Sequence, residues 1–273
     1  MISFIISTCI RNELHLNQLK RCILSVNTFH KESKIFLIDD SDERYNLIIK
    51  NAMLNINNVI IIDSIKKGSA DQQCFKLILD NNDNSSHYII IQDSMFLNRM
   101  IDNVDVIESI KFLWHFTNHR IDWDKIHEPQ TDFNIKNSIK THTDLIRYHL
   151  INNYYEDADF LKYALEYLQN KNKWVGCFGN CCIITKTCVE ILNKNTNFIE
   201  KFINNNTNRE RRMNESIFSL LCYYYLPQEY ENSYDGLYYD GVNVNKYSNI
   251  ETGFDGLKYC CKNKYISKIS FDR

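Results

Sequence analysis

The sequence predicts an α/β fold in three layers, a mostly parallel sheet with helices on both faces. Three observations carry that expectation. Four short runs of Ile, Phe, Val and Leu recur within the first hundred residues, stretches with helical spacing separate them, and the runs are apolar on both faces. A strand covered on one side alternates apolar with polar residues, whereas a parallel strand buried on both sides reads as a continuous apolar run.

The first strand is read over residues 2–9, followed by the polar set Cys9-Ile10-Arg11-Asn12 and a helix marked by Leu16, Leu19, Ile23 and Leu24. The run Lys34 to Ile38 stops at Asp39-Asp40-Ser41-Asp42, and Tyr45, Ile48, Ile49 and Met53 space the next helix. The third strand, Val59 to Ile62, ends at Asp63-Ser64 and leads through Lys66-Lys67-Gly68-Ser69 into a helix from Ala70 to Leu79. The fourth, His87 to Ile91, ends at Gln92-Asp93-Ser94.

Beyond residue 100 the pattern is less regular. A helix is expected from Asp157 to Gln169, a compact block from Trp174 to Ile184, a helix from Lys186 to Leu192, and one opened by Arg209-Glu210-Arg211-Arg212 and running through Tyr225. The tail from Tyr234 is rich in Tyr and in Asp-Gly pairs at Asp235, Asp240 and Asp255, which signals turns between short strands or ordered loops. No repeat and no linker interrupt the chain, so residues 1–100 and 101–273 are read as two halves of one domain.

Composition narrows the function classes. The 273 residues are 44% hydrophobic and 24% charged, which excludes disorder and provides for one large core or two small ones. Thirty-two basic against 34 acidic side chains leave a formal charge of -2, so no global field attracts nucleic acid. No apolar run reaches the ~20 residues of a membrane span, and the first residues lack a secretory pattern, so a cytoplasmic protein is expected. The Asn- and Ile-rich composition would also suit a viral protein in a host cytoplasm. Ten Cys in a long chain are read as reduced thiols. No CxxC occurs and no His follows His149, so buried thiols are favoured over a zinc site.

Ligands of open α/β sheets gather at the carboxyl ends of the strands, and here those ends carry Thr8 to Asn12, Asp39 to Asp42, Asp63 to Ser69 and Gln92 to Ser94. Asp and Ser also terminate strands and cap helices without binding anything. Four polar ends along one edge favour a pocket. Gly68 is the only Gly before Gly176, so neither the GxGxxG turn nor the P-loop can be built.

The opening Phe4-Ile5-Ile6-Ser7-Thr8-Cys9-Ile10-Arg11-Asn12, the end Phe36-Leu37-Ile38-Asp39-Asp40-Ser41, the end Tyr88-Ile89-Ile90-Ile91-Gln92-Asp93-Ser94-Met95 and the Trp174 to Ile184 block occur in an order that resembles the GT-A type glycosyltransferases. That resemblance implies a Rossmann-related sheet with a smaller acceptor-side sheet, a UDP- or GDP-sugar donor, and a glycan or sugar acceptor. Thr8, Arg11, Asp39 and Asp40 would line the nucleotide pocket, with Lys67 and Ser69 beside the phosphates. Gln92, Asp93 and Ser94 fall at the metal motif of such enzymes, with Asp93 as ligand of Mn²⁺ or Mg²⁺. The third position is Met95, a thioether that hard cations do not favour, so metal dependence is left open, with Arg209, Arg211 and Arg212 as the other means of stabilising the leaving diphosphate.

The resemblance also puts an acidic residue near the acceptor, and Glu215 is the expected proton acceptor of an inverting transfer; Asp235, Asp240 and Glu128 are alternatives. Trp174, Phe178 and Asn180 are the expected acceptor contacts, since aromatic faces pack on sugar C–H groups and an amide both donates and accepts. Two other readings stay open: a catalytically silent binding module of the same fold, and a sugar nucleotidyltransferase, which would need a Gly-rich loop that Thr8 to Glu13 lacks.

Overall fold

The computed structural model describes residues 1–117, 142–169, 175–203, 208–226 and 265–268. Strands β1 (Ile2–Thr8), β2 (Lys34–Asp39), β3 (Val59–Asp63) and β4 (His87–Gln92) alternate with helices α1 (Glu13–Phe29), α2 (Glu43–Met53) and α3 (Ala70–Asp80). These four strands are parallel, in the order β3-β2-β1-β4. β4 is buried along its whole length, as a doubly covered strand should be. β3 departs from the expectation of strands apolar and buried on both faces. It is the edge strand, only half-buried, and Ile60 is exposed.

The second half of the chain completes the same sheet. After β5 (Met95–Leu97), β6 (Ile110–Phe112) and β7 (His115–Thr117) come α4 (His142–Asn153), α5 (Ala158–Gln169) and β8 (Val175–Cys177). A 3₁₀ turn at Phe178–Asn180 leads into β9 (Cys182–Thr185), which runs antiparallel between β4 and β6. Helices α6 (Lys186–Thr196), α7 (Phe198–Lys201) and α8 (Asn208–Tyr225) follow, and β10 (Ile266–Lys268) pairs antiparallel with β5. A further two-stranded sheet joins β7 to β8.

Alternate strand residues feed two cores. Phe4, Ile6, Ile35, Leu37, Ile89 and Ile91 pack with the buried faces of α1 and α2, while Ile5, Phe36, Ile38, Tyr88 and Ile90 pack with α3, α6 and α8. The α1 stripe is Leu16, Leu19, Ile23 and Val26, at helical spacing, with Cys22 between. Leu24, read with that stripe from the sequence, lies one residue and hence about 100° off it, and is 67% exposed. Asn12 starts α1 by accepting the backbone N–H of His15 at 3.0 Å, which satisfies one of the open donors of the first turn. Cys177, Cys181, Cys182 and Cys188 are free, buried thiols, and no group of three or more His, Cys, Asp or Glu able to hold a metal converges among the described residues.

Candidate functional site

The carboxyl ends of the central strands are level. Register pairs Thr8 with Asp39, Asp39 with Asp63 and Ser7 with Gln92, so the polar residues that follow share one edge. Backbone bonds continue the ladder past the strands: Asp40 N–H donates to Thr8 O, Ser64 N–H to Asp39 O and Asp93 N–H to Ser7 O.

Asp93 is 4% exposed and ties two strand ends together, since its Oδ2 accepts the Thr8 hydroxyl at 2.9 Å and the Cys9 N–H at 3.2 Å. Asp39 turns back on its own loop, where Oδ1 accepts the Ser41 N–H at 2.9 Å and the Ser41 hydroxyl accepts the Ile10 N–H at 2.7 Å. Its Oδ2 is buried and has no hydrogen-bond partner among the described residues. Such an acceptor costs free energy until a donor reaches it, so it marks a place where a ligand N–H or O–H is favoured.

Asp40 instead holds the next loop. Both of its oxygens accept the Gly68 N–H, at 3.0 and 2.9 Å, with Gly68 in the left-handed region at φ 81°. Burial pushes the Asp40 carboxyl above the usual carboxylate range, against the lowering effect of that N–H. Ser69 braces the same loop by donating to Lys66 O at 2.7 Å. Lys67 is half-exposed and pairs with Asp42 at 2.7 Å, and Arg11 is exposed. The Ser94 hydroxyl is buried, with no partner among the described residues.

A second polar cluster adjoins the first through Gln92. The turn after β8 places Gly179 at φ 63° and Asn180 at φ 54°, two successive left-handed residues. Glycine takes this left-handed conformation without strain, and a Cβ at Gly179 would stand 2.8 Å from Gln92 Nε2, so that side chain would have to move. Gln92 Oε1 accepts the ammonium of Lys268, which β10 brings from the far end of the chain. Asn180 Nδ2 donates to Asp71 Oδ2 at 3.2 Å, and its own Oδ1 is buried without a partner among the described residues.

Glu215, 3% exposed, faces this cluster from α8, the helix that packs on β8 and on the 3₁₀ turn. Burial pushes its carboxyl up to about 7; Asp71 pushes the same way, and Arg211, the Gly179 N–H and Lys268 oppose. Arg211 Nε lies 3.6 Å from Glu215 Oε1. Burial raises the proton affinity of the Cys181 thiol; Lys268 and Arg211 oppose that rise, whereas Asp71 and Glu215 add to it.

Phe178 and Asn180 of the expected acceptor set therefore come together with Glu215, and Phe178 also meets Trp114 edge-on at 6.2 Å. Trp174, Glu128, Asp235 and Asp240, and the side chain of Arg209, lie outside the described residues. Arg212 is exposed. Asp71 and Lys268 were not legible from the sequence. An Asp in the first turn of a helix reads as a macrodipole partner, and Lys268 lies in a tail without a motif.

Among the described residues, those near Asp93 make no all-protein cage for a divalent cation. Met95 is fully buried, and its sulfur accepts from the Gln92 N–H and the Cys181 thiol. Asp93 alone fits the single-carboxylate mode in which substrate phosphates and water supply the other ligands.

The two buried carboxyls give one direct expectation. Asp71 raises the proton affinity of Glu215, so Asp71→Asn lowers it. A rate that requires ionised Glu215 then keeps its activity to lower pH, and the acid limb of kcat/KM moves to lower pH in the variant. An acid limb that stays in place would show that Asp71 does not act on Glu215.

No family model matches the chain, and no curated protein matches it. Among solved structures, S. aureus TarS in complex with UDP is similar over 48% of this chain at 12% identity and a TM-score of 0.32. TarS residues 1–349 with UDP-GlcNAc is similar over 36% at 13% identity and a TM-score of 0.28. GalNAc-T7 with UDP, GalNAc and Mn²⁺ is similar over 36% at 15% identity and a TM-score of 0.29. The chain spans 39%, 28% and 18% of those three chains, and at these TM-scores the likeness transfers neither fold nor function.

Proposed function

We propose that this chain is a glycosyltransferase that moves a sugar from a nucleotide-diphosphate sugar to an acceptor hydroxyl, with inversion at the anomeric carbon. One observation carries the reading: Glu215, a carboxyl that burial pushes up to about 7 and that lies 3.6 Å from Arg211, adjoins the polar carboxyl edge of a mostly parallel sheet. A base whose proton affinity matches the working pH is partly ionised and still strong enough to take a hydroxyl proton.

In this reading residues 1–100 bind the donor and residues 101–273 present the acceptor. Asp39 offers its unpartnered Oδ2 to a ribose hydroxyl or a base N–H, and Thr8 and Asp93 set the floor of the pocket. Asp40 and Ser69 act indirectly, by fixing the Lys66 to Ser69 loop. Phe178 packs on the acceptor sugar, and Asn180 Oδ1 takes one of its hydroxyls.

Calorimetric titration with UDP, GDP and their sugar conjugates, with and without Mn²⁺, tests the proposal. Binding of at least one, accompanied by slow release of free nucleoside diphosphate from the sugar conjugate, is the expected result. A protein that binds none of them is not a transferase of this kind. A second reading, a silent binding module, is favoured by the burial of Met95 where a second metal-binding side chain would stand. Tight nucleotide binding with no turnover on any acceptor would select it.

A further inference from the structure

The least expected group in the second cluster is the ammonium of Lys268. It lies on the last described strand, 176 residues from Gln92 in sequence, and is 8% exposed. A lysine is seldom buried to this extent, because its charge loses water that only fixed dipoles or anions replace. Two groups beside it are identifiable. Gln92 Oε1 accepts its proton, and the Phe178 ring lies 5.2 Å away, within cation–π range.

Register fixes where this charge stands. β10 pairs with β5 so that Lys268 is opposite Met95, the second residue after Asp93. A compact cation is thus held at the strand-end loop where the nearest polar edge is otherwise acidic. Gln92 sits between the two clusters, bonded to Lys268 while its neighbour Asp93 binds Thr8 and Cys9. Lysine binds phosphate as a point charge, a task that needs no fork geometry. Lys268 also lowers the proton affinity of Glu215, as the smallest of the effects on that carboxyl.

We propose that Lys268 is the group that holds the donor's diphosphate and receives its growing charge, so that transfer proceeds without a divalent cation. This rests on the transferase reading above and deepens it. As the acceptor oxygen bonds to the anomeric carbon, the bond from that carbon to the diphosphate oxygen breaks and its electron pair stays on the diphosphate. The acceptor proton passes to Glu215. The diphosphate gains one negative charge, and Lys268 stands to meet it.

The test compares uridine with UDP, and guanosine with GDP, by calorimetry in excess EDTA. The wild type is expected to bind the diphosphate at least about tenfold more tightly than the nucleoside, with no loss on chelation. Lys268→Met should remove that increment and leave nucleoside affinity within about twofold, while Lys268→Arg keeps most of it. Chelation that abolishes wild-type diphosphate binding overturns the proposal, and so does a Lys268→Met protein that keeps the increment. A Lys268→Met protein that melts early is replaced by Lys268→Gln, and the wild-type result under EDTA stands by itself. Nucleoside binding without any diphosphate increment removes the Lys268 role alone, whereas absence of all nucleoside and nucleotide binding removes the transferase reading with it.

Discussion

Glu215→Gln is expected to lower kcat for sugar transfer by about a hundred- to ten-thousand-fold while nucleotide affinity stays nearly constant. The amide fits the same space but takes no proton, so the loss falls on the chemical step. Steady-state kinetics with a saturating acceptor, beside calorimetry of the nucleotide, separate the two effects. Equal losses in binding and turnover would mean that Glu215 only braces α8 through Arg211. Stability provides an independent readout. Glu215 has an ordinary value of 4.5 and a folded value of about 7, so the folded state binds the extra proton between those limits. Stability from this group is greatest below pH 4.5, declines as pH rises, and is lost above about 7. Urea denaturation across that window should therefore fall with pH in the wild type and be flatter in Glu215→Gln.

Phe75→Ala should cost about 3–5 kcal/mol of stability, the range for deleting a fully buried aromatic ring. Phe75 is fully buried, and its ring lies 4.8 Å from Phe218, 5.3 Å from Phe198 and 5.5 Å from Phe202. The effect reaches the site because of helix spacing. Phe75 lies four residues after Asp71 on α3, and Phe218 three residues after Glu215 on α8, so each ring is on the same face as its carboxyl one turn away. Loss of the aromatic contact is therefore expected to disturb the spacing of the two carboxyls. The variant should show a lower urea midpoint with an unchanged slope, and an acid limb displaced from that of the wild type. Leu24→Ala, at an exposed position of α1, is the control, with an expected change within about 0.5 kcal/mol. A similar small change for Phe75→Ala would show that the α3 and α8 contact is not what holds these helices.

The first half of the fold was legible because each signal in it is local. Continuous apolar runs ended by polar residues gave β1, β2, β3 and β4, and helical spacing gave α1, α2 and α3. Exposure of β3 escaped, since the order of strands decides which of two similar apolar runs is the edge. Three-residue strands such as β5, β6 and β10 escaped as well, because so short a segment has no periodicity of its own. Insertion of β9 between β4 and β6 depends on pairing partners about seventy to a hundred residues away in the chain.

The site divides in the same way. Sequence alone determined the polar strand ends, the glycine-containing block that ends at Ile184, and the carboxyl group on α8. Tertiary structure decided that Asp39 keeps a bare buried oxygen while Asp40 spends both of its oxygens on Gly68, although the two are neighbours of identical type. It also decided that Asp71, Glu215, Arg211 and Lys268, from α3, α8 and β10, all act on the proton affinity of one buried thiol. The physical reason is that residue type sets what a group can donate or accept, whereas its proton affinity and its partners depend on the water removed and the charges brought near by segments far apart in the chain.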